Sequence, residues 1–259
     1  MRRNILLTVL TLLAVSTVNA QFLAPGASLP VVANLPGLNA TDWRTDVSVV
    51  NLSENETSVR LLLQPEIRNG VKLFEPVITD PMVIAAGAQL TMRNIVETVF
   101  GMTNAKGALS IFSDDFAPLV VGARIYTLGD DGGSYGQNVE GLLVANDAWT
   151  PGITHDDFYR SNIGIYLPFD PLPGEPVHFT ITVFDKDGDE VGGGTITFKD
   201  AGVQQFNLST FGVGMLLDGY VEFDAIDPTV TFYAYASRVD QVSGDAVFRQ
   251  AKGRQSDLP

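Results

Sequence analysis

Apolar residues along this chain recur mostly at every second position, in short runs. Val47, Val49 and Asn51 share one side of their segment, with Asp46, Ser48 and Val50 on the other. Val177, Phe179, Ile181 and Val183 alternate in the same way with His178, Thr180, Thr182 and Phe184. Successive side chains of an extended chain point to opposite faces, so a period of two marks strands. Turn chemistry bounds these runs: Asn69-Gly70 and Asp187-Gly188 both supply residues that tolerate positive φ, and each predicts a two-residue hairpin turn. Only Met92 to Phe100 has helical character, and it is about two turns long. Short strands spaced by about 8–12 residues predict an all-β, antiparallel, immunoglobulin-like sandwich with at most short helical turns.

The pattern is written twice. Val32-Ala33-Asn34 matches Val144-Ala145-Asn146, and Trp43-Arg44-Thr45-Asp46 matches Tyr159-Arg160-Ser161-Asn162. Ala86 to Gln89 then matches Ala201 to Gln204, Phe100-Gly101 matches Phe211-Gly212, and Val120 to Tyr126 matches Tyr233 to Val239. The order never changes and the offsets stay between 111 and 118. An internal repeat of this length predicts two tandem sandwiches, over residues 21–139 and 140–250, followed by a polar tail at 251–259. Alternation aligns Trp43 with Val47 and Val49, and Tyr159 with Ile163 and Ile165, so both aromatics are expected to pack at the entry to a core strand. Arg44 and Arg160 then face the other way. Arg124 and Arg238, at matching places near strand ends, are expected to be structural, bonded to a carboxylate or to exposed carbonyls.

The order "WRTD" (Trp43 to Asp46), "ARIY" (Ala123 to Tyr126) and "GGSYGQ" (Gly132 to Gln137) resembles secreted bacterial β-sandwich repeat proteins of unknown function. The resemblance covers most of the first unit and is weaker in the second, where Arg238 is not followed by a Tyr two residues on. It implies the fold and export, and carries no activity.

The N-terminus changes the picture of where such a protein works. A basic start, Met1 to Asn4, precedes an apolar run from Ile5 to Val15, and small residues stand at Val18 and Ala20. This is the pattern of a secretory signal over residues 1–20, cleaved after Ala20. The chain has no Cys to carry a lipid, and no later run reaches the roughly twenty apolar residues of a spanning helix. The expected mature chain is secreted or periplasmic, without membrane insertion. It has 259 − 20 = 239 residues and a formal charge of −14 − 2 = −16, which repels nucleic-acid phosphates. A secreted chain without disulfides must hold together by core burial, a usage more bacterial than animal.

Candidate chemistry is sparse. The two histidines, His155 in a polar loop and His178 in a strand, make a poor zinc set without Cys, and no nucleophile elbow or phosphate loop is present. Asp185, Asp187 and Asp189 form a weak calcium candidate, because Gly188 and Glu190 miss the loop positions that calcium-binding hands require. The Gly-rich stretch from Gly129 to Gly136 suits a linker or strand-end loop; as a binding loop it would offer Tyr135, Asp130 and Asp131. Trp149, in the Pro/Gly-containing loop "NDAWTPGITHDD", has no counterpart in the first unit and is the best candidate for a functional aromatic, with packing against the domain interface as the plainer reading. No cofactor is implied. The expected function is a non-catalytic structural or protein-interaction module. The alternative is a carbohydrate-binding module using Trp149 and Tyr135, and a third is a hydrolase whose carboxylate pair a linear sequence does not locate. Partners would be an extracellular protein or a glycan. Coplanar aromatics on one sheet face would favour the glycan.

Overall fold

The computed structural model describes residues 26–37, 41–129, 132–141, 144–145 and 147–253; the expected signal segment, and Asp130 and Asp131, lie outside the described residues. Eleven strands come from the first half. They are β1 (Gly26–Pro36), β2 (Asp42–Asn51), β3 (Thr57–Pro65), β4 (Ile67–Arg68), β5 (Val71–Lys72) and β6 (Val77–Ile78), then β7 (Met82–Ile84), β8 (Gln89–Met92), β9 (Ala105–Ser113), β10 (Leu119–Leu128) and β11 (Ser134–Val139). The second half supplies β12 (Val144–Ala145), β13 (Asp147–Pro151), β14 (Tyr159–Leu167), β15 (Val177–Asp185) and β16 (Glu190–Phe198), then β17 (Gly202–Asn207), β18 (Gly219–Ala225), β19 (Thr231–Asp240) and β20 (Ala246–Gln250). Among the described residues, helix is confined to α1 (Ile95–Thr98) and a 3-10 turn at Leu208–Phe211.

These strands build four antiparallel layers. Sheet I runs β11-β10-β2-β8 and sheet II runs β1-β9-β3, with β6 and β7 on β3. The two are joined at a corner where Leu35 and Pro36 of β1 pair with Trp43 and Asp42 of β2. In the second half, sheet III runs β20-β19-β14-β17 and sheet IV runs β13-β18-β15-β16. Strand for strand, β11-β10-β2-β8 follows the same order as β20-β19-β14-β17, and β1-β9-β3-β7 the same order as β13-β18-β15-β16.

Each sandwich fills from its alternating faces. Val47, Val49, Leu61, Leu109 and Ile111 are buried between sheets I and II. Ile163, Ile165, Phe179, Val183 and Phe223 are buried between sheets III and IV, where Phe179 meets Phe198 and Phe232 edge-on at 5.6 and 4.9 Å. Each such side chain stabilises the fold by about 1.5–3 kcal/mol relative to leaving it in water. The halves also share a polar clamp. Thr45 is fully buried, and its hydroxyl donates to the carbonyl of Ala33 (3.0 Å) while accepting from the Ala33 N–H (2.8 Å). Ser161, the residue matched to it, does the same with Thr154, at 2.7 and 3.3 Å. A buried hydroxyl must be satisfied, and bridging to the backbone of the facing segment satisfies it twice.

Sheets II and III also pack on each other, so the two halves bury part of their surfaces against one another. Tyr166 and Tyr235 are 0% and 1% exposed and join the first half's core together with Val203. Tyr166 stacks on Tyr233 (5.3 Å) and Tyr235 on Phe248 (5.3 Å). The Tyr166 hydroxyl bonds to Gln64 and lies 3.0 Å from the Ser110 hydroxyl, and burial pushes the pKa of both Tyr166 and Tyr235 well above the usual phenol range. Gly164 makes this possible, since a Cβ there would sit 2.3 Å from the Tyr235 ring. Lys72 pairs with Asp200 across the same junction at 3.0 Å.

Two expectations about boundaries and turns are corrected. Ordered packing continues past residue 250: Ala251 is fully buried and Lys252 exchanges backbone hydrogen bonds with Trp149 (2.9 and 3.0 Å). Asn69 and Gly70, at φ 53° and 75°, do form a two-residue turn between β4 and β5. Asp187-Gly188 does not, because Asp185 closes on Asp189 (2.9 Å), leaving a three-residue loop with Gly188 at φ 89°. That is the hairpin geometry in which the last loop residue must be left-handed.

Candidate functional site

Trp149 lies on β13 rather than in a loop. Ala148 and Thr150 on either side of it are fully buried, so alternation turns the indole to the outer face of sheet IV. The sequence pointed to a loop because of Pro151 and Gly152, yet a Pro is tolerated at the end of an edge strand, which is where β13 runs. Trp149 pairs with Glu222 of β18, and Pro151 pairs with Tyr220. Tyr220 in turn faces Phe184 of β15, and the two rings stack at 4.8 Å with 14° between planes. Trp149 therefore stands diagonal to a stacked aromatic pair on one sheet face, within the roughly 7–8 Å reach of diagonal cross-strand neighbours.

An open cleft of about 590 Å3 lies beside these rings, lined by Trp149, Pro151, Lys186, Asp218, Tyr220 and Arg249. Arg249 enters from β20. Its Nε is buried without a hydrogen-bond partner among the described residues, and its guanidinium lies over Gly152, where a Cβ would come within 2.9 Å of Cζ. A buried donor with nothing to donate to costs free energy unless a ligand or water completes it. Lys186 is held by Asp187 at 2.5 Å. Asp147 and Asp224 pair across β13 and β18 on the same outer face. The cleft thus combines aromatic surface, an arginine with an unpartnered Nε and nearby carboxylates.

The other sequence candidates are placed elsewhere. Tyr135 lies on β11, the edge strand of sheet I, opposite Thr127, and it does not line the Trp149 cleft. The Gly-rich stretch is the β10–β11 hairpin end, closed by Gly129 N–H to Gly133 O at 2.9 Å. Asp185 spends one carboxylate oxygen on the N–H groups of Asp189 (3.0 Å) and Asp187 (2.9 Å), and these bonds, that from Asp189 foremost, hold its pKa below the usual carboxylate range. Among the described residues, no three His, Asp or Glu side chains gather into a group able to hold a metal. His155 is not a solvated loop residue: its backbone bridges Leu216 in both directions at 2.7 Å, and its Nδ1 is buried without a partner among the described residues. His178 Nδ1 bonds to the Thr197 hydroxyl at 2.9 Å.

Trp43 is half-buried, packing on the first half's core with its indole nitrogen so close to Gly37 that a Cβ there would fall 2.4 Å away. Arg124 donates to the Ser134 carbonyl at 3.1 Å and lies 5.3 Å over the Tyr126 ring. Arg238 lies 5.2 Å over the Tyr159 ring, a cation–π contact that joins two of the structural candidates. Sequence reasoning missed Tyr220, Phe184 and Arg249. The two aromatics occupied outward positions of their alternating segments, which was the available signal; nothing local marked Arg249. No protein-family model matches the chain, and no curated protein matches it.

Proposed function

We propose that the protein is a non-catalytic, extracytoplasmic binding module, made of two copies of one β-sandwich unit and exported by the N-terminal signal. It works by presenting the outer face of sheet IV, and a glycan is the ligand class that face fits best. The observation that carries this reading is the aromatic set: Trp149 diagonal to the stacked Tyr220–Phe184 pair, beside an open cleft. Flat aromatic rings offer the apolar face of a sugar a surface of matching shape, and the cleft's Arg249 and Asp218 supply donors and acceptors for hydroxyl groups. The matched strand orders of the two halves and the shared hydroxyl clamp support the repeat. The basic start, the apolar run and Ala20 support export, and the resemblance to secreted bacterial β-sandwich proteins agrees with both.

A protein ligand on the same face is the second reading, favoured by the Trp, Tyr and Arg composition, since those residues dominate interface hot spots. A glycan-array screen of residues 21–259 with Trp149→Ala and Tyr220→Ala tests both. The glycan reading expects a defined set of bound sugars, lost in the first variant and weakened in the second. Sugar binding untouched by either substitution, or no sugar bound at all, would remove it.

A further inference from the structure

A second cavity, of about 470 Å3, lies where the first half meets sheet III. The first half contributes Ala33, Leu35, Trp43 and Gln137; sheet III contributes Arg160, Asn162, Gln205 and Tyr235. Its volume is that of a small-molecule site. Arg160 and Asn162 are two apart on β14, on the face turned away from the second core, and neither side chain has a hydrogen bond or ion pair among the described residues. Burial pushes the Arg160 pKa down, with no carboxylate to offset it. The contrast with the matching arginine is direct. Arg44 of β2 is paired with Asp42 at 2.8 Å, and the position matching Asp42 in the second half is Phe158.

The lining amides have committed their oxygens, and Lys106, the other cation in the lining, is paired with Glu66 at 3.1 Å. Gln205 Oε1 accepts from the Tyr235 hydroxyl (3.0 Å), Gln137 Oε1 from Ser237 (3.1 Å), and Asn207 Oδ1 from the Ser209 N–H (2.9 Å). Their amide NH2 groups are left as donors beside the guanidinium, so the cavity is rich in donors and positive in a strongly acidic chain. The opposite wall, Leu35 and the Trp43 indole, is apolar. We propose that this cavity binds a small organic carboxylate, its acid group on Arg160 and Asn162 and its ring or aliphatic part against Trp43.

The test uses the full mature chain with Trp149→Phe, which leaves Trp43 as its sole tryptophan, so that fluorescence reports on this cavity alone. Benzoate and phenylacetate are the probes, and benzyl alcohol is the uncharged control. Saturable quenching by the acids is expected, with a matching calorimetric signal, and the control binding at least about tenfold more weakly, as loss of a charge-assisted contact implies. Arg160→Gln should lose acid binding by a similar factor and melt at or above the parent temperature, because it removes a desolvated charge that has no partner. The proposal is overturned if no acid binds saturably, if acid and alcohol bind alike, or if Arg160→Gln binds as the parent does. A melt for Arg160→Gln well below the parent would make the guanidinium a structural group instead, and would overturn it too.

Discussion

The outer faces of sheets I and III share one strand order and meet opposite fates. On sheet I, Val50 pairs with Val120 and Ser48 with Gly122 across β2 and β10. At the matching places on sheet III, Tyr166 pairs with Tyr233 and Gly164 with Tyr235. The first face is dressed in Arg44, Asp46, Ser48 and Arg124, with an exposed ion pair from Arg93 to Asp46 at 3.1 Å, and it is left to solvent. The second carries large rings, with one glycine to let Tyr235 lie flat, and it is buried against sheet II. Core-facing positions make each sandwich. The positions between them decide whether a sandwich stands alone or docks.

That contrast breaks most sharply at the rings. Tyr235→Ala should cost about 3–5 kcal/mol, the range for removing a fully buried aromatic. Tyr126→Ala, on the solvated sheet I, should cost about 1 kcal/mol or less. Urea melts of the two variants measure the difference, and equal losses would mean that the two faces do not differ as described.

The glycine tests the same point by overfilling. Gly164→Val forces a side chain into the Tyr235 ring and should cost about 1–3 kcal/mol or more, whereas Ser48→Val at the matching place should stay within about 0.5 kcal/mol of the parent. Thermal melts decide between them. Trp43→Ala is next: half-burial should hold its cost to about 2–3 kcal/mol, short of the loss for a fully buried ring. A loss of stability as large as that of Tyr235→Ala would place Trp43 fully in the core.

The smallest expected effect lies in matched turns of the two halves. Asp115 follows β9 and accepts from the hydroxyls of Ser113 and Thr57; Asp227 follows β18 and accepts from the Thr229 N–H (2.9 Å) and hydroxyl (2.8 Å). These bonds, from Ser113 first for Asp115 and the Thr229 N–H first for Asp227, hold both pKa values below the ordinary 3.8. A depressed folded-state pKa contributes stability that is complete above the unfolded value and is lost as pH falls through the folded one. Asp115→Asn and Asp227→Asn should therefore flatten the fall in melting temperature below about pH 4, with Asp115 the larger effect because it ties down another strand. Parallel acid profiles for variant and parent would count against this assignment.

Much of the fold was legible because burial on one face imposes a period of two, and because Asn-Gly and Asp-Gly dipeptides punctuate the runs. The docking of the halves was less so. Tyr166, Tyr233 and Tyr235 sit at positions that alternation assigns to the outside, and only their size hinted that something covers them. Trp149 was legible as an aromatic without a counterpart, but its strand was hidden behind Pro151 and Gly152. Arg249 reaches its cleft from β20, some hundred residues along the chain from Trp149, and such convergence leaves no local trace. Arg160 was readable as the counterpart of Arg44 from the matching order of residues around each. That it lacks Asp42's equivalent becomes meaningful only once a cavity is seen around it.

The pairing map also sets an order in time. Every ladder of β1 to β11 closes within residues 26–139, yet β2 must wait for β10, with Ser48 meeting Gly122 from far along the chain. Domains dominated by such distant pairings fold in milliseconds to seconds, slowly for their size. A chain emerging N-terminus first can close every ladder of sheets I and II without any residue of the second half, and present sheet II as a floor. The tyrosines of sheet III then have a surface waiting for them. Synthesis in the reverse order would leave four aromatic rings uncovered while their partner was still being made.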